Sequence, residues 1–336
     1  MANLLRVTPH AKIPGLLAPQ TQSVDFNKYV AGKTRYGSLA EDYLYVTSIT
    51  NINTESFVGM QWGSDLAKSS YILGQIQIPY YKISSYVEWD IQEEKKFESL
   101  SNGVALPDFL DNLAKQAINQ RKHQAILFGF ETTTGYNQGI AGNETIVSFP
   151  QASNTNNTLT TYPIGELQAF LSQLARKVMD TSFNMAKPVV IASSVRVINY
   201  LRSVIVPLTS YLESGSVASV GTAYNKIVGD WLGVGQVEWV SDNLLMNADI
   251  TGQQDVIKLI APGIDPQGNQ GEEVNQNLVG DFNSIKFNTF YDTAGGLIRF
   301  DAPPALGKFA RRYDYKMTPG VNLRNEAVVS TSIVYS

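Results

Sequence analysis

The sequence predicts an α+β protein organised around one long helix, with aromatic strands before it and a mixed α/β lobe after it. Between Pro107 and Phe128, apolar residues recur at spacings of three and four, which is typical of one face of an α-helix. Residues 71–89 are rich in β-branched and aromatic side chains, a composition that favours strands. After residue 187, short apolar runs alternate with helical patterns, which indicates one compact α/β lobe.

Composition points to a protein whose surface is covered by other subunits. The chain has 336 residues, of which only 17% are charged, below the roughly 25% of an average soluble domain. Plentiful Asn, Gln, Ser and Thr are the alternative means of solvating such a surface. The net charge of −4 gives no overall nucleic-acid footprint. The chain lacks cysteine, so disulfides and thiol chemistry are excluded, and neither a signal peptide nor a membrane span is expected.

Residues 1–40 are predicted to form an extended N-terminal arm, because prolines and glycines interrupt them and no period is sustained. The arm is basic: against the single acid Asp25 stand Arg6, Lys12, Lys28, Lys33 and Arg35. Such an arm can pair with acids of a neighbouring subunit, notably those between Glu88 and Glu98, or face a polyanion. We favour the subunit contact, because five positive charges in this length make a sparse surface for DNA.

Residues 41–105 are predicted to form an extended hairpin with flanking strands. Pro79 cannot donate a ladder hydrogen bond and therefore indicates an edge or a bend. The acids from Glu88 to Glu98 are interpreted as solvated charge on an exposed strand. A protruding hairpin this apolar needs a partner to cover it. The aromatic residues that we expect to contact a neighbouring subunit are Trp62, Tyr71, Tyr80, Tyr81 and Trp89.

Residues 106–185 are expected to form one domain built on the long helix, over 106–129. Pro107 suits the first helical turn, and Gly129 suits a left-handed termination. A glycine-rich loop and a polar connector lead to a second helix over 164–180.

Residues 186–300 are predicted to form the α/β lobe, and residues 301–336 to return to the domain of the long helix. The expected elements of the lobe are a strand at 188–193, a helix at 194–203, a helix or strand at 227–232, a strand at 236–240, a strand at 255–260, a polar loop at 262–280, and strands at 284–291 and 296–300.

Catalytic patterns are missing from the sequence. The only histidines, His10 and His123, lack metal-ligand spacing, and there is no phosphate-binding loop or nucleophile elbow. The glycines Gly229, Gly233 and Gly235 do not follow a strand in the dinucleotide-binding register. Acids of two loops were weighed as cation ligands or catalytic carboxylates: Asp265, Glu272 and Glu273 in the polar loop, and Glu131 and Glu144 in the glycine-rich loop. We therefore predict no catalytic, cofactor-binding or metal-binding residues, and a structural role.

The order of these parts resembles the major capsid proteins of tailed bacteriophages with the HK97-type fold. The resemblance rests on the helix ending LFGF, the loop Gly139–Asn143 after it, and the later stretch AKPVVIASSVRVINYL. It implies an HK97-like capsid fold with an N-terminal arm (1–40), an E-loop (41–105), a peripheral domain with the spine helix (106–185), an axial domain (186–300) and a C-terminal return to the peripheral domain (301–336). Some members of the family cross-link Lys to Asn, but no such pair is identified here.

The resemblance also implies the function. A capsid subunit of this kind assembles with copies of itself into hexamers and pentamers, which enclose double-stranded DNA that the shell contacts non-specifically. Scaffolding, portal and decoration proteins are further partners, and the expected location is the virion, assembled in the host cytoplasm. Two alternatives stay open: an encapsulin-like shell protein, and a hydrolase that uses carboxylates of the glycine-rich loop.

Overall fold

The computed structural model describes most of the chain between residues 33 and 336. The described residues are 33–35, 38–53, 70–101, 105–132, 135–136, 144–152, 158–181, 188–206, 218–249, 251–261, 288–305, 308–322 and 327–336. Most of the predicted arm, the hairpin tip, most of the glycine-rich loop and the polar loop 262–280 lie outside them.

Strands and helices both occur along the whole described chain. The strands are β1 (Lys33–Arg35), β2 (Tyr43–Asn53), β3 (Ser70–Pro79), β4 (Tyr81–Asp90), β5 (Glu131–Thr132), β6 (Gly135–Tyr136), β7 (Thr145–Ile146), β8 (Val190–Ser193), β9 (Ile205–Val206), β10 (Ala218–Ser219), β11 (Glu238–Ser241), β12 (Asp255–Ile260), β13 (Asn288–Ala305), β14 (Lys308–Met317), β15 (Val321–Asn322) and β16 (Val328–Ile333). The helices are α1 (Ile91–Ser101), α2 (Leu106–Phe128), α3 (Ile164–Thr181), α4 (Val195–Ser203) and α5 (Val220–Tyr224), with a π-helical segment at Asn225–Trp231 and a 3₁₀ turn at Asn243–Leu245.

The described residues fall into two compact units, each built from separate stretches of the chain. The first unit comprises the described parts of Lys82–Lys122 and Leu297–Tyr315. The second comprises the described parts of Asp25–Tyr81, His123–Gly296 and Lys316–Ser336. In the first unit, β14 lies between β13 and β4 in the sheet.

The predicted long helix is present as α2, which has 23 residues and is therefore about 35 Å long at 1.5 Å per residue. Ala114 and Ile118, one turn apart, are buried on its inner face. Gly129 follows the helix with φ 82°, the left-handed conformation that glycine adopts without steric cost.

Helix α1 was not predicted, and the interpretation of its acids as part of a strand was wrong. The helix starts with a capping box between Asp90 and Glu93. The Asp90 carboxylate accepts from the Glu93 backbone N–H at 2.7 Å, and the Glu93 carboxylate accepts from the Asp90 N–H at 3.1 Å. These reciprocal bonds satisfy two backbone donors at the helix start. Phe97 then packs on Phe109 of α2, with the ring centroids 5.3 Å apart.

The second unit contains a five-stranded mixed sheet in the order β11-β8-β12-β16-β7. Strands β11 and β8 are parallel, whereas β12 is antiparallel to both of its neighbours, β8 and β16. All six residues of β12 are buried, so both faces of the sheet are covered at this strand. Residues of α3, α4 and α5 share one hydrophobic core with β8, β12 and β16.

Two boundaries of the predicted lobe need correction. Strand β16 was placed in a returning segment outside the lobe, but it pairs with β12 over six residues. Helix α3 was assigned to the domain of the long helix, but Leu167, Leu171 and Leu174 belong to the core of the mixed sheet. The two strands predicted at 284–291 and 296–300 are one strand, β13, of 18 residues.

The glycine spacing 229-233-235 has a local structural explanation. Gly233 and Gly235 have φ values of 67° and 85°, which other residues adopt only with strain. The chain folds back on the π-helical segment, where the Gly235 N–H donates to the Gly229 carbonyl at 3.0 Å. A Cβ at Gly229 would lie 2.6 Å from the Gly235 oxygen. The three glycines thus serve one tight turn.

Candidate interaction surfaces

The most distinctive surface of the second unit is an antiparallel ribbon formed by β2 and β3. Ten residue pairs join the strands, from Tyr43 opposite Pro79 to Asn53 opposite Ser70, with a register shift between Ile49 and Asn51. No other described strand pairs with either of them. An isolated two-stranded ribbon is marginally stable in water, so this ribbon needs additional contacts.

The ribbon lacks the features that usually protect exposed strand edges. Neither the 11 residues of β2 nor the 10 of β3 include a charged side chain, although charges on edge strands normally prevent pairing with other chains. Tyr43 and Tyr45 are 52% and 55% exposed. The register also places apolar Leu44 opposite Ile78 and Val46 opposite Ile76. Such a surface is suited to burial against another polypeptide.

The base of the ribbon is fastened to the second unit by a few polar contacts. The Lys316 ammonium donates to the Leu39 carbonyl at 2.9 Å and to the Asp42 carboxylate at 3.1 Å. The Tyr80 N–H donates to the Asp42 carbonyl at 2.9 Å. Ile78 and Tyr80 are buried here, and Leu44 packs against them.

The five predicted contact residues have different environments. Tyr80 and Trp89 are 7% and 5% exposed within their own chain, so the expectation that nothing in the chain covers them was wrong. Trp89 stacks on Phe309 with centroids 5.8 Å apart. Tyr81 is partly exposed, and its ring lies 4.5 Å from that of Phe130. Trp62 and the side chain of Tyr71 lie outside the described residues. A contact of these five residues with a neighbouring subunit stays a prediction, and Tyr43 and Tyr45 are the exposed tyrosines at the ribbon base.

In the first unit, a buried carboxylate of α2 binds arginine side chains of the sheet. Asp111 accepts from Arg311 at 2.8 Å, and Arg299 lies 3.8 Å away. The guanidinium of Arg311 also lies 5.0 Å from the centre of the Trp89 ring. Burial, followed by the neighbouring Asp111 carboxylate, raises the pKa of Tyr313 to about 12. These contacts hold the spine helix on its sheet.

A second carboxylate of the first unit, Asp314, lies among basic side chains. Lys82 is 2.7 Å away, and Arg312 donates two hydrogen bonds of 2.8 Å. Burial alone would raise the pKa of Asp314, but the hydrogen bonds from Arg312, Lys82 and Ser84 outweigh it and lower the pKa from 3.8 to about 2. The ionised form is therefore stabilised by folding.

A depressed pKa makes Asp314 a source of acid sensitivity. Its contribution to stability is fully present above the unfolded pKa, and is lost as the pH falls towards the folded pKa of about 2. We expect Asp314→Asn to be less stable than wild type at pH 7 and to lose less stability between pH 4 and pH 2. Urea unfolding at several pH values measures both effects. Asp180→Asn, a change at an exposed carboxylate of α3, is the control; an unchanged pH slope in Asp314→Asn contradicts the assignment.

In the second unit, Asp255 connects three segments at the start of β12. Its buried carboxylate accepts from Ser194 at 2.6 Å, from Arg196 at 2.6 and 2.7 Å, and from the Asn247 N–H at 2.9 Å. Burial acts to raise the pKa of Asp255, but the hydrogen bonds from Arg196, Ser194 and Asn247 lower it overall. The carboxylate therefore stays ionised and holds the start of α4 and the 247 turn together.

Two further ion pairs of the second unit are buried. Lys258, in the middle of β12, has only 2% of its side chain exposed and bonds the Glu144 carboxylate, which is 10% exposed. His123, in the last turns of α2, lies 2.7 Å from the buried Asp242 carboxylate. Glu144, a candidate for hydrolytic chemistry, thus forms a structural ion pair. Lys258 was missed because the sequence around it was interpreted only as an apolar strand.

The described residues offer no arrangement for metal chemistry. No group of three or more His, Asp or Glu side chains among them is placed to hold a metal ion. The acids considered as cation ligands, Asp265, Glu272 and Glu273, lie outside the described residues, as does the side chain of Glu131. Among the helices that the structure describes, none is long and apolar enough to cross a membrane.

Comparison with known proteins gives a result only at the level of three-dimensional structure. No protein-family model and no curated protein matches the chain. The capsid of Myoviridae phage XM1 is similar, with a TM-score of 0.68 at 13% identity, covering 96% of each chain. The capsid of a native GTA particle has a TM-score of 0.61 at 8% identity, covering 98% of this chain and 96% of that one.

The similarity also extends to an encapsulin. The holo-SrpI encapsulin complex from Synechococcus elongatus PCC 7942 gives a TM-score of 0.51 at 12% identity, covering 95% of this chain and 94% of that one. The structures that match thus share one shell fold and very little sequence. The chain has the α+β fold of the HK97-type capsid subunits of tailed phages.

Proposed function

We propose that this protein is the structural subunit of an icosahedral phage head, which assembles into hexamers and pentamers that enclose a double-stranded DNA genome. The fold supports this proposal, because phage capsids match the chain over nearly its whole length. In this role the protein acts by burying surface between subunits and not by catalysis. Its location is the virion, after assembly in the host cytoplasm.

The observation that carries the proposal is the uncharged ribbon of β2 and β3. It is unpaired on both outer edges among the described residues, and it exposes Tyr43 and Tyr45. A monomeric protein with such a ribbon risks aggregation through its edges. Assembly into a shell removes this risk, because each ribbon then lies against a neighbouring copy.

An encapsulin-like compartment is the second candidate, since an encapsulin shares the fold. The phage capsid has the higher TM-score, 0.68 against 0.51, and this favours the phage head. The contents of purified particles separate the two candidates: an encapsulin-like shell holds a protein cargo, whereas a phage head holds DNA. A hydrolase is disfavoured because Glu144 is engaged by Lys258.

Further partners follow from the proposed role. Scaffolding, portal and decoration proteins would bind to the assembled shell and not to a preformed pocket of the single chain. The N-terminal arm is proposed to bridge neighbouring subunits. Some acids near α1 are already engaged within the chain, since Glu88 pairs with Lys308 at 3.1 Å.

The proposal is tested first by imaging the purified protein. Negative-stain images are expected to show closed particles of uniform diameter. A second test adds charge to the ribbon without weakening it. Tyr45 and Gln77 are directly opposite each other and both exposed, so Tyr45→Lys with Gln77→Glu creates a favourable cross-strand pair. We expect the free energy of unfolding of the subunit to change by less than about 0.5 kcal/mol and the particle yield to fall at least tenfold.

A matched control adds the same pair of charges elsewhere. Ala169→Glu with Gln173→Lys places an i, i+4 pair on the exposed side of α3, where such a pair is mildly stabilising. Normal particle yield is expected from this control. Equal yields from the ribbon variant and the control contradict burial of the ribbon. The earlier choice of Tyr80 for such a test is unsuitable, because Tyr80 is buried in its own subunit.

A further inference from the structure

The exposed side of α2 carries a stripe of uncharged amides and one lysine. At positions i, i+3, i+4, i+7 and i+8, which form a single helix face, lie Asn112, Lys115, Gln116, Asn119 and Gln120. All five are exposed. At 1.5 Å per residue, the stripe is about 12 Å long.

No acidic residue occurs from Asn112 to Phe130. Asp111, just before this stretch, is buried and bound to Arg311. The other two helices of more than ten residues expose both signs of charge. Helix α1 exposes Glu93 and Glu98 beside its lysines, and α3 exposes Asp180 beside its basic residues. The exposed side of α2 therefore differs from these surfaces in lacking negative charge.

The chemistry of the stripe matches the backbone of a nucleic acid. Amide N–H groups and a lysine ammonium donate hydrogen bonds to phosphate oxygens, which are the commonest protein contacts to DNA and are independent of sequence. Duplex DNA carries about one negative charge per 1.7 Å of its axis, so acids on a facing surface are repelled. Leu113 and Ala117 are exposed beside the stripe and add no charge.

We infer that this face of α2 is the surface that contacts the packaged duplex DNA, through weak and sequence-independent bonds from the amides and Lys115 to phosphates. The inference rests on the proposed function, which it deepens by naming the DNA-facing residues. One lysine per subunit keeps each contact weak, and many copies in one shell add to the total. A wall of this kind neither repels DNA nor holds it tightly, because the charge-dependent part of binding scales with the number of phosphates neutralised.

The test uses shells that are dissociated and then reassembled with linear duplex DNA at about 0.1 M salt, where charges act over about 10 Å. DNA retained per shell is measured after nuclease treatment. The stripe variant is Gln116→Glu with Asn119→Asp, which changes charge and hardly changes shape. The control variant, Gln92→Glu with Gln173→Glu, adds the same charge at exposed positions of α1 and α3.

We expect the stripe variant to form empty shells with wild-type yield and to retain at least about threefold less DNA than the control. Gln116→Lys with Asn119→Lys should retain more DNA than wild type. Equal DNA retention in the stripe and control variants overturns the inference. A loss of empty-shell yield in the stripe variant alone also overturns it, because the face is then a contact between subunits. Failure of the wild-type chain to form shells instead contradicts the proposed function, and a mobility shift of subunits on duplex DNA then tests the stripe directly.

Discussion

Replacement of Glu144 by alanine is expected to lower the free energy of unfolding by about 3–5 kcal/mol, because it leaves the Lys258 ammonium buried without its partner. Lys258 is 2% exposed in the centre of a five-stranded sheet, where water cannot replace the carboxylate. Urea unfolding of the purified subunit, followed by circular dichroism, measures the loss.

The paired replacement separates the ion pair from simple packing. Lys258→Met with Glu144→Leu removes both charges and fills a similar volume, so we expect it to recover most of the stability lost by Glu144→Ala. Replacing a buried pair by apolar residues is often neutral or stabilising. If Glu144→Ala costs less than about 1 kcal/mol, the pair is solvated like an exposed one and the assignment is wrong.

Gly320→Ala is expected to cost about 3 kcal/mol, near the upper end of the usual cost of overpacking. A Cβ at this position would lie 2.0 Å from the carbonyl oxygen of Ile126 in α2. The clash is with backbone, so no side-chain rotation relieves it. The close approach also allows the Gly320 N–H to donate to the Ala125 carbonyl at 3.1 Å. The melting temperature of the subunit should fall accordingly.

Gly165→Ala is the matched control for this substitution. Gly165 lies in the first turn of α3, where an added Cβ meets nothing within 4 Å. Alanine at such a site is expected to be neutral or to stabilise by up to about 1 kcal/mol, because it reduces the entropy of the unfolded chain. An equal effect of the two substitutions contradicts the close approach at Gly320.

Elements with a strong local pattern were predicted close to their observed bounds. The long helix was expected over 106–129 and spans Leu106–Phe128, and the strand expected over 255–260 is β12. Both patterns lie within one stretch of chain: apolar spacing with a terminating glycine in one case, and a short run rich in branched residues in the other. Helix α1 was missed although its capping box, Asp90 and Glu93, is visible in the sequence.

The interaction surfaces were predictable only in part. The aromatic hairpin before the long helix was expected to meet a neighbour, and a ribbon of β2 and β3 is present there. Residue type did not distinguish aromatics covered by their own chain from those left exposed. Trp89 is covered by Phe309, which lies more than two hundred residues later, whereas Tyr45 is exposed. Such coverage depends on which distant strands become neighbours.

The sequence by itself determined the α+β class, the long helix and its ends, the buried strand β12 and the low surface charge. Each of these follows from residues within a few turns of one another, whose periodicity and capping act locally. The tertiary structure decided that β16 enters the sheet beside β12, that Lys258 meets Glu144, and that Gly320 touches the end of α2. These depend on strand order and on contacts between residues far apart in the chain, which local spacing does not encode.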